Sequence, residues 1–235
     1  MSLERIAALE QAVAELSREL ARQQDIQAIQ KLQATYGYCM DKWLFDDIVD
    51  LFAEDATMFF MDGVFKGRDG ARRLYGWTQG LKGPQHGILG EHMFMQGVVD
   101  IAPDRSKAWG RWRCFLLCAV HASRKEQYPA EYPAQFWEGG VNENEYVREN
   151  GVWKFKTLRY RITYQADFAA GPATSPPEPI MAHNFGGIYP ELPLGPDELR
   201  APQPQWPNAF VMPFHYAHPV TGRAIGAGLE AGAPR

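Results

Sequence analysis

Two side chains here have the types and the spacing to make a general base. Asp41 stands in Tyr36-Gly37-Tyr38-Cys39-Met40-Asp41-Lys42-Trp43, and His92 stands in Gly90-Glu91-His92-Met93-Phe94. Imidazole is the side chain whose ordinary pKa lies nearest neutrality. A carboxylate bonded to one ring nitrogen fixes the tautomer and leaves the other nitrogen to accept a proton. Such a pair moves protons without a cofactor, provided the fold carries two residues roughly fifty positions apart into contact. Asp41 closes an amphipathic helical stretch, where its charge opposes the helix dipole. That unfavourable position is one a functional role would account for.

Further candidates surround the pair. Tyr36 and Tyr38 are helical neighbours two apart, so their side chains diverge and at most one faces a site with Asp41. Tyr36 is the preferred catalytic donor, with Tyr38 as a possible substrate contact. Asn142 lies in Asn142-Glu143-Asn144-Glu145, polar on both faces, as expected of a sheet edge or of a strand lining a wet cavity. Arg159 and Arg161 share one face of a later strand and could hold an anionic leaving group. Metal ligation finds little support: His215 and His218 have no acidic or cysteine partner near them in sequence, and His183 is isolated. No glycine-rich phosphate loop and no Gly-x-Ser-x-Gly elbow occurs.

The elements that must position these residues fall into three regions. In residues 1–24, Ile6, Leu9, Val13, Leu16 and Leu20 recur at three- and four-residue steps, an a/d seam on a helix from about residue 3. The seam either lies against its own domain or associates with copies of itself. Residues 25–167 read as helices followed by strands. Ile26, Ile29, Leu32 and Tyr36 continue a helix, 46–52 a second, 56–60 a strand, and 69–76 a third helix with Asp69 as its cap. Strands are expected at 93–101, 107–121, 136–148 and 152–164, the last two joined by a tight Asn150-Gly151 turn. Helices followed by a meander of long strands imply an α+β fold, a curled antiparallel sheet wrapped on helices.

Residues 168–235 hold thirteen of the seventeen prolines, with Phe185, Tyr189, Trp206, Phe210, Phe214 and Tyr216 among them. Proline at this density prevents long helices and central strands, while the aromatics give the segment something to bury. An extended arm draped over its own domain or a neighbouring subunit is expected, with only the final Gly- and Ala-rich residues loose.

At 235 residues and 46% hydrophobic, the chain suits one domain with attachments. A net charge of −4 argues against nucleic acid as the main partner. Cys39, Cys114 and Cys118 form no even framework and read as buried thiols of a reducing compartment. With neither a membrane-spanning apolar run nor a signal-like N-terminus, the expectation is a cytoplasmic protein with no membrane partner.

Five segments together resemble the SnoaL-like group of the nuclear-transport-factor-2-like superfamily. They are residues 29–42, Leu51-Phe52-Ala53-Glu54-Asp55-Ala56, Phe65-Lys66-Gly67-Arg68-Asp69-Gly70, the His92 segment, and Glu145-Tyr146 through Gly151-Val152-Trp153-Lys154-Phe155. The resemblance covers about 25–164 and implies a cone-shaped α+β barrel whose pocket lies between sheet and helices. Within that group the chain is similar to scytalone dehydratase, hexachlorocyclohexane dehydrochlorinase and formaldehyde-releasing lyases of lignin-derived diarylpropanes. This likeness places Asp41 and His92 at the catalytic positions, and Phe60 and Asn142 at pocket positions. The second histidine of scytalone dehydratase has no counterpart, and the dehydrochlorinase arginine falls at Leu158, one residue before Arg159. What the resemblance implies is a cofactor-independent lyase of an aromatic small molecule, assembled as a homo-oligomer, by family a trimer. A non-catalytic ligand-binding or assembly module is the alternative; contact between Asp41 and His92 discriminates the two.

Overall fold

The computed structural model describes residues 2–76, 82–127, 134–174, 193–201 and 203–227. Leu3–Asp41 form one helix, α1. The boundary expected near residue 24 is not a break, because no glycine or proline interrupts the stretch. It marks instead where burial begins. Residues 2–20 are exposed, and Asp25 is the first buried position. There the helix is tied to the sheet: Arg105 Nε (2.6 Å), Trp153 Nε1 (3.0 Å) and Arg148 all donate to the Asp25 carboxylate. Beyond it Ile29, Gln33, Tyr36 and Cys39 turn inward.

Two short helices follow, α2 (Phe45–Asp50) and α3 (Gly67–Gly76), separated by the β1 (Phe52–Phe60) and β2 (Gly63–Lys66) hairpin. Asp69 is not the cap of α3: the helix starts at Gly67, and Asp69 in its first turn accepts from Arg73 Nη1 at 2.7 Å. Four long strands complete the domain: β3 (Ile88–Ile101), β4 (Lys107–Val120), β5 (Gln135–Glu149) and β6 (Val152–Asp167). Asn150 (φ 50°) and Gly151 (φ 82°) form the β5–β6 turn, both left-handed, as a two-residue hairpin with native twist requires. With β7 (Glu198–Leu199) the strands make one curved, open seven-stranded sheet in the order β3-β4-β5-β6-β1-β2-β7. His92 therefore lies within β3 rather than ahead of it. Pairing of Ile88 with Val120 extends the strand through a stretch whose own pattern does not alternate.

Register decides which side chains share a face. His92 pairs with Leu116, Leu116 with Glu138, and Glu138 with Gln165, so these four form one row across β3, β4, β5 and β6. Phe94, Cys114, Gly140 and Ile162 form the next row, and Trp112, Asn142 and Tyr160 extend the same face. This face looks toward the helices: Tyr36 of α1 packs on Phe94 and on Phe155 of β6, ring centroids 5.8 and 5.5 Å apart.

Of the described C-terminal arm, residues 195–199 run along the β2 edge and against Arg73 of α3, and the residues from 203 lie on the opposite face. Glu198 pairs with Val64, and the Trp206 amide donates to the Thr163 carbonyl at 2.8 Å. Arg161 lies 3.5 Å over the Phe210 ring and donates to the Pro204 carbonyl (2.9 Å); Arg111 lies 3.8 Å over Phe214. Two cation–π contacts and backbone acceptors thus bind the arm to the outside of its own sheet. There the described residues 203–214 of the arm cover their own domain, on the face away from His92. His215 meets Glu143 and, at 3.4 Å, Asp100 on that outer side. His183, Phe185, Tyr189 and residues 228–235 lie outside the described residues.

Candidate active site

α1 ends where β3 begins to matter. Asp41 Oδ1 accepts the His92 backbone N–H at 2.7 Å and lies 2.9 Å from His92 Nδ1. As the edge strand, β3 turns alternate amides away from β4, and the carboxylate satisfies one that would otherwise be orphaned. Those two donors also offset the cost of an anion at the negative end of a helix. Beside this contact the cap residue Lys42 pairs its Nζ with Glu91 Oε1 at 3.2 Å, so the last residue of α1 and its cap clasp two consecutive residues of β3. Asp41 is 7% exposed and the His92 side chain 20% exposed. With Nδ1–H donating to Asp41, the lone pair of His92 sits on Nε2, the nitrogen that is left to take a proton. The contact between an aspartate and a histidine has the geometry of an oriented base.

The other sequence candidates divide. Tyr36 is buried, but its hydroxyl bonds the Tyr75 hydroxyl at 3.1 Å, and burial pushes both phenols well above their ordinary range. It packs as a core aromatic on Phe94, with its hydroxyl turned to Tyr75. Tyr38 is 75% exposed, on the outer side of α1, and is not brought to the site. Arg159 points outward, over Phe59 at 4.8 Å, and Arg161 is engaged by the arm. The one-residue step from Leu158 puts both arginines on the wrong face, because strand side chains alternate. Leu158 itself is buried on the inner face, paired with Met58, and Phe60 packs against the same core. Asn142 is buried, and its Nδ2 has no hydrogen-bond partner among the described residues.

The inner face also holds a polar group that the sequence reading passed over. Glu138 is 2% exposed; its Oε1 lies 2.5 Å from the Tyr160 hydroxyl and its Oε2 accepts from Gln165 Nε2. Burial pushes this carboxyl above its usual range, against the lowering effect of both hydrogen bonds and of nearby His92. Tyr160 reaches Glu138 because its ring lies across Gly140, where a Cβ would fall 2.4 Å from the ring. A signal existed. Alternation in Phe136-Trp137-Glu138 places the carboxylate on the face of buried Phe136, and Tyr160 alternates with Leu158.

The SnoaL-like domain profile matches residues 21–159, more than half of the chain. The chain belongs to the SnoaL-like family. The cone of this SnoaL-like protein is shared by solved structures of low identity. One is a candidate scytalone dehydratase from Novosphingobium aromaticivorans, at 19% identity and TM-score 0.51, covering 68% of this chain and 99% of its own. LinA gives 22% and 0.53, covering 65% and 95%. A type-2 LinA hexachlorocyclohexane dehydrochlorinase gives 22% and 0.51, covering 68% and 99%. At these identities the likeness establishes the fold. Comparison with curated proteins returns no match. None of the SnoaL-like protein's described helices is long and apolar enough to cross a membrane.

Proposed function

We propose that this SnoaL-like protein is a cofactor-independent lyase of an aromatic small molecule, with His92 as base and Asp41 as its orienting carboxylate. The observation that carries the reading is the double hold of Asp41 on His92, at 2.7 Å to the backbone amide and 2.9 Å to the ring. A ligand-binding or assembly module has no use for a half-buried imidazole held in one orientation by a buried carboxylate. The aromatic lining of the same face (Phe94, Trp112 and Tyr160, with Phe60 at the adjoining core) favours a flat, electron-rich substrate.

The specific reaction proposed is loss of formaldehyde from a lignin-derived diarylpropane. Nε2 of His92 takes the proton of the terminal hydroxymethyl group, the adjoining carbon–carbon bond breaks, and formaldehyde departs. The electron pair released forms a double bond between the two aryl-bearing carbons as the benzylic oxygen departs with its bonding pair, takes a proton and leaves as water. Asp41 stabilises the imidazolium that results, as a buried charge partner does in a low-dielectric site. Dehydration or dehydrochlorination of a phenolic or cyclic substrate uses the same base with the proton taken from carbon.

A mass-spectrometric screen of purified protein, against phenolic diarylpropanes and benzylic alcohols with no added metal or cofactor, tests the reading. Loss of formaldehyde, absent in His92→Ala, supports the specific reaction. Loss of water alone reassigns it to a dehydratase. Tight binding without turnover, indifferent to His92→Ala, identifies a binding or assembly module and overturns the lyase.

A further inference from the structure

Glu138 is the group on the inner face that the base mechanism does not use, and a buried carboxyl is expensive to keep. A carboxylate removed from water requires a cation or must take up a proton. Among the described residues no lysine or arginine pairs with Glu138; its bonded partners are the neutral Tyr160 hydroxyl and Gln165 amide. The Gln165 amide donates to Oε2, which leaves Oε1, 2.5 Å from the Tyr160 oxygen, as the position for a proton. The Tyr160 hydroxyl also shares a hydrogen bond with the Cys114 thiol. Burial raises that thiol, so it too stays neutral.

The placement relative to the base is as informative as the burial. His92 and Glu138 stand in one row, separated by Leu116, so their strands are two sheet spacings apart, roughly 10 Å. Both side chains project from the same face with Leu116 between them, so they can flank a substrate laid over that face but do not bond each other directly. Asn142, paired with Tyr160 across the β5–β6 ladder, has a buried Nδ2 donor with no partner among the described residues.

We infer that Glu138 and Tyr160 form the proton-donating arm of this site, opposite His92, and protonate the leaving oxygen of the substrate. Tyr160 is the group that touches the leaving hydroxyl, and Glu138 resupplies its proton through the shared Oε1 contact. When the benzylic carbon–oxygen bond breaks, its electron pair goes to oxygen, which takes the Tyr160 proton and leaves as water. Tyr160 recovers a proton from Glu138. The proton removed from substrate is on His92, so the enzyme ends each turnover with an imidazolium and a carboxylate. Proton exchange with solvent resets both. Asn142 Nδ2 donates to the departing oxygen and positions it. The arrangement deepens the lyase reading and rests on it: it specifies substrates with a hydroxyl leaving group that needs a proton.

The test compares a phenolic benzylic alcohol with its benzylic acetate, whose leaving group departs as a stable anion. In wild-type protein both are expected to turn over. Glu138→Gln and Tyr160→Phe are expected to lose about a hundred-fold or more on the alcohol and no more than a few-fold on the acetate. His92→Ala is expected to lose both. Equal losses on the two substrates, or no loss on the alcohol, overturn the acid assignment while the base survives. Wild-type protein inactive on both overturns the lyase reading itself. An infrared spectrum gives a readout independent of turnover. A protonated-carboxyl band at neutral pH, absent in Glu138→Gln, is expected, and its absence from wild type overturns the proposal.

Discussion

Gly37 of α1 lies directly against His92 of β3: a Cβ placed on Gly37 would come to 3.1 Å from the His92 carbonyl oxygen and 3.0 Å from the Phe94 ring. This close approach lets the end of α1 carry Asp41 to the imidazole. Gly37→Ala sets two effects against each other. Helix propensity favours alanine by about 1 kcal/mol, while the crowding costs roughly 1–3 kcal/mol. The melting temperature is expected to move little while turnover falls. Full activity with a raised melting temperature would show that the approach is not needed.

His92→Ala and Asp41→Asn separate the base from its orienter. Loss of the imidazole is expected to cost roughly a hundred- to ten-thousand-fold in rate. Asp41→Asn keeps an acceptor for the His92 amide but removes the charge that supports the imidazolium, so its loss should fall in kcat rather than KM. Steady-state kinetics with circular dichroism as a fold control decide the matter. A KM effect alone would make Asp41 a binding residue.

Asp25 predicts an acid limb of stability. Burial alone would raise its carboxyl, but the Arg105 and Trp153 hydrogen bonds and the Arg148 and Arg105 charges outweigh that and hold it below its ordinary range. A carboxyl depressed in the folded state contributes stability that is present above its unfolded pKa, about 3.9. That contribution is lost as pH falls through the folded value. Asp25→Asn is expected to cost roughly 1–3 kcal/mol at neutral pH, because the arginines it leaves behind still reach water. The gap to wild type should narrow in acid, as followed by urea unfolding at neutral and low pH. A gap independent of pH would assign Asp25 a packing role alone.

Glu138 predicts the opposite sign. Its folded pKa is raised, so the folded state is favoured by the protonated form and loses that contribution as pH rises through the folded value. Glu138→Gln does not titrate, so its stability relative to wild type should increase with pH. Thermal unfolding followed upward from the ordinary glutamate pKa, about 4.3, reads this directly, and parallel curves for the two proteins would contradict it.

The first part of α1 predicts self-association. Leu9, Val13, Leu16 and Leu20 are each more than half exposed along one seam. With Ile6 at a, Arg5 and Glu10 fall at g and the following e, a pair that attracts across a parallel coiled coil of identical chains. Deleting residues 1–23, or placing aspartate at Leu9 and Leu16, should lower the oligomeric mass in sedimentation without altering the fold of the cone. An unchanged profile would remove the seam from the assembly.

Much of the fold was legible from local pattern. The Asn150-Gly151 turn, the order of helices and strands, and the face of α1 that buries Ile29 and Tyr36 all follow from period and turn chemistry, which act over a few residues. Less legible was anything set by pairing. β3 begins at Ile88 because β4 is long enough to hold it, and the row joining His92 to Glu138 exists only once three strands are in register. Tyr38 illustrates the limit on a helix: the apolar stripe is visible, but its edge is drawn by what packs against it.

By itself the sequence determined that Asp41 closes a helix, that His92 can act as a base, and that the proline-dense tail cannot enter the sheet as a central strand. Each depends on covalent geometry, side-chain chemistry or local periodicity. Tertiary structure decided that Asp41 and His92 touch, that Arg159 and Arg161 face outward, and that Glu138 shares a face with His92. The physical reason is the two-residue period of a strand. One step in register moves every side chain to the other side of the sheet, and register is settled by contacts far apart in the chain.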